Sequence, residues 1–264
     1  GKYFRLNNLK ITGYYDVNEN LAKEAATFTE TTFIEDLETI VKISDTLFLT
    51  VPDDLITTVW NQMKDMSLEG KFICHCSGAL SAGDAFPGID KCGAFGYSVH
   101  PLFAVSDKYN SYKELSHAYF VIEGDEKHRE EIAGIFNNLG NEVRYIAAKD
   151  KVKYHCAAAV CSNHVVALIQ ESLDLMQECG FDEESALKAL APIMLGNMQH
   201  IAERGTVNSL TGPVERADVK TVENCLDEKQ QMIYRLLSEV LISIGEKKNP
   251  GRDYGRLKHI LGNE

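Results

Sequence analysis

The feature that most constrains this chain is a change of period. Up to about Ala148, short β-rich apolar runs alternate with longer stretches of helical spacing, and beyond that point only helical spacing continues. Alternation of the first kind is the pattern of βαβ units and a parallel sheet. The runs are Leu9 to Tyr15, Thr46 to Val51, Phe72 to Cys76, Ala94 to Val99, Tyr119 to Ile122 and Val143 to Ile146. Several stop abruptly at Asp16, Pro52-Asp53, Ser77-Gly78 and His100-Pro101. Ligands of parallel sheets bind beyond the carboxyl ends of the strands, so these junctions are the first site candidates. The later helices are predicted over Lys151 to Glu178, Glu183 to Arg204, Ala217 to Leu226 and Asp227 to Glu246, with Gly180 and Gly205 as terminators and Asp182 as a cap. The expected class is α/β: a doubly wound parallel sheet over residues 1–148, then an all-α domain over residues 149–264.

A chain of 264 residues accommodates two such domains. A net charge of -12 argues against nucleic acid as a partner, because a phosphate backbone calls for a basic surface. The charge is uneven: residues 1–148 carry 13 Lys+Arg against 22 Asp+Glu, and the remainder 14 against 17. The segment Lys247-Lys248 through Arg252, Arg256 and Lys258 is locally basic. No apolar run approaches a membrane span. The seven cysteines lack zinc spacing, so reduced thiols in a cytoplasm are expected and no metal is.

Asp16 stands where a dinucleotide-binding sheet places its ribose-binding acid, about 20 residues beyond a glycine-rich phosphate loop. Counting back that far runs off the start of the chain. Gly1 to Leu6 reads as the tail of a helix, so a first strand and its G-x-G-x-x-G are expected upstream of Gly1, in a longer parent protein. Val17, Asn18 and Glu19 offer no cation for a 2'-phosphate, which favours NAD over NADP. The plain alternative for Asp16 is a turn-forming acid after a strand. Val51, Pro52 and Asp53 offer a cofactor-lining loop, or else Asp53 merely caps the next helix. Strand alternation puts Cys74 and Cys76 on one face and His75 and Ser77 on the other. Ser77 and Gly78 would then lie near a nicotinamide, with His100 at an equivalent strand end as a substrate contact. On the first long helix Lys151, His155, Ala159 and Asn163 recur every four residues and share one face.

Asp45-Thr46-Leu47-Phe48-Leu49-Thr50-Val51-Pro52-Asp53, His75-Cys76-Ser77-Gly78-Ala79, His100-Pro101-Leu102, Tyr154-His155 with Ser162-Asn163, and Leu210-Thr211-Gly212-Pro213 with Arg216 and Asp218 occur in an order that spans nearly the whole chain. In these stretches the chain resembles Rossmann-like NAD(P)-dependent oxidoreductases with a C-terminal domain of unknown function 2520. These are relatives of 6-phosphogluconate dehydrogenase, β-hydroxyacid dehydrogenases and pyrroline-5-carboxylate reductase. The resemblance implies nicotinamide-dependent reduction of a small carbonyl or imine; some similar proteins reduce ketopantoate. It leaves NADP open beside NAD. Related β-hydroxyacid dehydrogenases place a catalytic Lys four residues before an Asn; Asn163 matches that Asn, but Ala159 occupies the Lys position. His155, one turn earlier, is the candidate general acid, since hydride delivery to a carbonyl leaves an oxygen that needs a proton. Lys151 is the reserve donor and Asn163 orients the substrate. Thr211 and Arg216 are substrate-binding candidates, the guanidinium matching a carboxylate; a local Arg216–Asp218 surface pair is the plain alternative.

Two functional classes follow. One is an NAD(P)-dependent oxidoreductase acting on a small 2-oxo acid or imine, forming a homodimer through its helical domain. The other is a non-catalytic dinucleotide-sensing or scaffold protein, which Ala159 and the absent glycine fingerprint favour. A vestigial sheet carried by a helical dimerisation module is a third, plainer possibility.

Overall fold

A computed structural model describes residues 1–226 and 231–262 of the chain. The first part lays down α1 (Lys2–Leu6), α2 (Glu19–Thr29), α3 (Leu37–Ile43), β1 (Thr46–Leu49), α4 (Asp53–Met63), β2 (Phe72–His75), α5 (Ala82–Ala85), β3 (Phe95–Leu102), β4 (Tyr119–Gly124), α6 (Arg129–Asn137) and β5 (Val143–Tyr145). The helices α7 (Lys151–Cys161), α8 (Asn163–Glu178), α9 (Glu183–Ser209), α10 (Val219–Leu226), α11 (Gln231–Lys248) and α12 (Gly255–Leu261) follow. The chain divides into two units, Gly1–His164 and Val165–Glu264, so the whole of α7 belongs with the sheet. The change of period at Ala148 marks where strands end, while the division into units falls after α7.

The five strands form one sheet in the order β1-β2-β3-β4-β5. Its two faces follow from alternation along the strands. Leu47, Leu49 and Ile73 face Val41 of α3, Ile56, Trp60 and Met63 of α4, and Phe86 after α5. Cys74, Tyr97, Val99, Phe120 and Ile122 face Ile132, Ala133 and Phe136 of α6, with Phe4 of α1 packed alongside. Each face is thus closed by helices, as continuous apolar runs demand. Trp60 is fully buried, with its ring edge-on to Phe86 and its Nε1 donating to the Pro87 carbonyl at 3.1 Å.

Two strand expectations are corrected. Leu9 to Tyr15 is not a strand: it makes a single parallel bridge, Tyr14 to Phe33. The sheet is also mixed, because β3 and β4 pair antiparallel, from Tyr97↔Gly124 to Leu102↔Tyr119. No long helix intervenes between them, only the short 3-10 turns Ser111–Lys113 and Leu115–His117, so the chain returns directly alongside itself. At the far end of β4, beside the start of β3, Gly124 has a φ of 143°, and a Cβ there would meet the Gly96 carbonyl oxygen. β3 also outruns β2, whose pairing ends at His75↔Ser98. His100 and Pro101 therefore sit inside β3, paired with β4 alone, and not at its end. An edge free on one side tolerates a proline.

The second unit is helical throughout its described residues. Asp182 caps α9 by accepting from Ser185 N, as expected, and Gly180 takes a left-handed φ of 90° after α8. Gly205 interrupts α9 (φ 75°, ψ 170°), and a further turn to Ser209 follows, so Asn208 and Ser209 of the loop expected from Asn208 to Pro213 are helical. The expected start of the last long helix at Asp227 lies outside the described residues. Val214, Val222, Ile242, Tyr254, Leu257 and Leu261 form this unit's own core. The expected helix Lys151 to Glu178 is broken at Ser162 (ψ -75°). Residues 148–178 nevertheless contain an 18-residue window of mean hydropathy 1.2, which meets the length and composition of a membrane span and which the expectation of no such run did not foresee.

Candidate active site at the strand ends

The site is built where β1 and β2 end. After β1 the chain turns at Pro52 into α4, and after β2 it turns through Ser77 and Gly78 towards α5. These two turns are tied together, since Ser77 Oγ donates to Asp53 Oδ2 at 2.5 Å. The same hydroxyl oxygen accepts from the backbone N–H of Leu80 at 3.0 Å and of Ala79 at 3.3 Å, closing the turn. Ser77 N donates to His75 Nδ1 at 3.1 Å. Asp53 thus does not cap α4; its carboxylate is spent on the neighbouring strand end.

Lys151, the first residue of α7, reaches into this turn. Its side chain is buried, and Nζ donates to the Ser77 carbonyl at 2.8 Å and, in a very short contact, to Ser98 Oγ. Ser98 Oγ also donates to the Ser77 carbonyl, at 3.1 Å. Glu123 on β4 is buried nearby, with Oε2 accepting from Ala82 N at 2.7 Å. Burial lowers the Lys151 amine to about 8 against the opposing pull of Glu123, Asp53 and Cys76, so desolvation outweighs all three. Burial raises the Glu123 carboxyl for the same reason.

Two imidazoles close on Gly78. A Cβ built there would lie 2.6 Å from His155 Nδ1 and 3.0 Å from His100 Nε2, so both rings pack against this α-carbon and only glycine allows it. His100 Nδ1 lies 2.7 Å from Tyr154 Oη. Burial first, then the charge of Lys151, lowers His75 and His100 each to about 4, and burial raises Tyr154 to about 12 and Cys76 to about 11. Two of the sequence candidates, Lys151 and His155, therefore meet Ser77, Gly78 and His100 in one cluster, with Asp53 joined through Ser77.

The others lie elsewhere. Asn163 is exposed and heads α8 beyond the break at Ser162, so the four-residue period that aligned it with His155 stops short of it. Asp16 accepts from Asn18 N at 2.8 Å in a turn, and Asn18 caps α2. Val51 is half-buried and Pro52 exposed on the turn after β1. Thr211 and Arg216 are exposed in the second unit. Asp218 there accepts from the N–H and hydroxyl of Thr221, which with nearby Arg216 holds its carboxyl below the usual range. Sequence reasoning missed Ser98, Glu123 and Tyr154 as members of the cluster. Glu123 carried a usable signal, as the polar residue closing the run Tyr119 to Ile122, and Ser98 as the one hydroxyl within the run Ala94 to Val99 besides Tyr97. Among the described residues no group of three or more His, Cys, Asp or Glu side chains is arranged to hold a metal.

Residues 118–241 match a family described as domain of unknown function DUF2520. No curated protein matches the sequence. Among solved structures the chain is similar to TM1727 from Thermotoga maritima, at 27% identity and a TM-score of 0.76, covering 94% of this chain and 97% of that one. It is similar in fold to BF3122 from Bacteroides fragilis, provisionally assigned as an NADP oxidoreductase (16% identity, TM-score 0.68, 92% of each chain). An imine reductase from Myxococcus stipitatus in complex with NADP+ also shares the fold (16% identity, TM-score 0.61, 98% of this chain and 94% of that one).

The lowered imidazoles make stability depend on acid. Between pH 6.5 and about 4 the unfolded chain binds protons that the folded His75 refuses, so stability is lost as pH falls through that window. For this fully buried ring the loss amounts to about 3 kcal/mol, at roughly 1.4 kcal/mol per pH unit. Urea unfolding at pH 7 and pH 4.5 should show a smaller drop in His75→Gln than in the unmodified chain; equal drops would refute the assignment.

Proposed function

We propose that this chain, a Rossmann-like protein carrying the DUF2520 domain, is an NAD(P)-dependent oxidoreductase that reduces a small 2-oxo acid or imine. The observation that carries the reading is the convergence of His100 and His155 on the bare α-carbon of Gly78, at the carboxyl end of a parallel strand. Ligands of such sheets bind there. The NADP named for two proteins of the same fold supports the cofactor class without choosing between NAD and NADP.

The strand-end turns fit a dinucleotide in one testable respect: Gly78 lets two imidazoles approach the carboxyl end of β2 more closely than any Cβ would allow. Asp16 would take the ribose, and the turns Val51-Pro52-Asp53 and Ser77-Gly78 would receive the nicotinamide end. When bound, the nicotinamide supplies the hydride. The chain's own residues do the rest. His155 gives its proton to the oxygen or nitrogen left basic as the carbon of the double bond is reduced. Lys151 holds the Ser77 carbonyl inward, so the turn keeps one shape. Asn163, Thr211 and Arg216 remain proposed substrate contacts, with Arg216 suited to a carboxylate.

NADH and NADPH oxidation with a panel of 2-oxo acids, ketopantoate included, and cyclic imines tests the reading. Turnover is expected, and His155→Ala should lower it about 100- to 10,000-fold while dinucleotide binding persists. Undiminished turnover in that variant would remove His155 from the mechanism. Binding of dinucleotide with no turnover on any substrate would favour a sensing role, which Ala159 at the relatives' Lys position also suggests.

Exposed apolar side chains at Ile193, Leu195, Met198, Met232, Leu236 and Val240 support a homodimer through the helical unit. Seven unpaired cysteines support a reducing, cytoplasmic setting. Sedimentation velocity should give a dimer, and a monomer at every concentration tested would rule the assembly out.

A further inference from the structure

The basic segment around Arg252 is spent within its own unit. Asn249 Nδ2 donates to Glu215 Oε1 at 2.9 Å, and Arg252 donates to the same oxygen at 3.2 Å. The Glu215 carbonyl accepts from Tyr254 Oη at 2.9 Å and, in a very short contact, from Arg252. A carbonyl has no proton to give, so the direction of both bonds is fixed. Lys248 Nζ donates to the Leu210 carbonyl at the other end of the same loop. Tyr254 is buried, and a Cβ on Gly245 of α11 would lie 2.8 Å from its hydroxyl. The Asn249 bond, with Arg252 and Lys248 behind it, holds the Glu215 carboxyl below the ordinary range although desolvation opposes it.

These side chains grip a strained turn. Leu210 and Val214 are buried, whereas Thr211 and Arg216 are exposed. Gly212 has a φ of 92°, and Ala217 takes the left-handed region at 56°, which costs a residue with a Cβ free energy that its surroundings must offset. Arg216 N donates to the Gly212 carbonyl at 3.2 Å and Asp218 N to the Pro213 carbonyl at 2.9 Å. The peptide group joining Glu215 to Arg216 is therefore held at both of its polar atoms. The Arg216 guanidinium itself makes no hydrogen bond to any described residue, and Asp218 nearby spends its carboxylate on Thr221. Arg216 is thus a cation with open donors on a fixed stretch of backbone.

We propose that Arg252 and Tyr254 are positioning residues: they latch the turn over residues 211–216 by the Glu215 carbonyl, so that Arg216 stands on backbone of one shape and receives the carboxylate of the substrate. The latch lies wholly within the helical unit; the carboxylate rests on the reduction proposed above. A guanidinium binds a carboxylate through two parallel bonds, which requires its plane to be held in one direction. Its long side chain is free to turn, so the fixed direction has to come from the backbone that carries it. Tyr254 and Arg252 act on the one peptide group that sets where the Arg216 side chain begins.

The test is hydrogen–deuterium exchange and kinetics of the whole chain carrying Tyr254→Phe together with Arg252→Gln, which removes both donors and keeps the buried ring. The amides of Arg216, Ala217 and Asp218 should lose protection about 10-fold while those of α10 and α11 keep theirs. Unchanged protection in the turn, or an equal loss throughout the unit, would overturn the latch whatever the activity. In the reductase assay the variant should raise KM for a 2-oxo acid about 10-fold with kcat nearly unchanged, the value of one charge-assisted hydrogen bond lost from binding. KM for the methyl ester of the same acid, which lacks the anion, should not move. Equal rises for acid and ester, or no rise for the acid, would overturn the positioning role. Arg216→Gln should raise KM for the acid at least as far; no rise there would remove Arg216 as the carboxylate contact. Failure to reduce any acid, with the loosened turn confirmed, would remove the reductase reading and the carboxylate with it, and leave the latch.

Discussion

The arrangement at the strand ends depends on one buried amine. Lys151 leaves water to hydrogen-bond a backbone carbonyl and a serine hydroxyl, and it keeps Asp53, Glu123 and Cys76 within electrostatic reach. A buried amine is costly unless it is paired and hydrogen-bonded, and those partners are supplied here from β2, β3 and β4. The ammonium thereby joins the first turn of α7 to three strands at once. That tie accounts for α7 belonging with the sheet unit although it follows the last strand.

The same amine sets the electrostatics of the pocket. Positive charge beside His75 and His100 adds to burial in keeping both rings neutral, so neither competes as a strong acid at neutral pH. His155 is more exposed, and it reaches the same glycine from α7. The two imidazoles that meet over Gly78 are therefore unlike in their surroundings. One is half-buried and tied to a phenol; the other is exposed.

Much of the fold was legible because apolar runs and helical spacing are local signals. Thr46 to Leu49 and Phe72 to His75 were read almost to the residue, and the cap at Asp182 was visible as Asp before Ser185. Leu9 to Tyr15 has the composition of a strand but makes only one bridge, and composition does not reveal whether a partner is at hand. The antiparallel β4 was hidden because its direction depends on a connection of short turns. In the site, Ser77, Gly78, His100, Lys151 and His155 were legible as polar residues at strand ends and on a helix face. Helical spacing placed Lys151 and Asn163 on one face, and it could not show that Ser162 breaks the helix between them. Tyr154 was hidden for a different reason: its place in the cluster comes from a ring on a distant strand.

The most direct measurement is the titration of Lys151 itself, followed by 13C and 15N NMR of lysine side chains, with Lys151→Arg providing the assignment. A midpoint near 8, well below the ordinary 10.5, is the result expected of an amine buried between β2, β3 and β4. A midpoint near 10.5 would place that amine in water, and the strand ends and the neutral imidazoles would lose their common support.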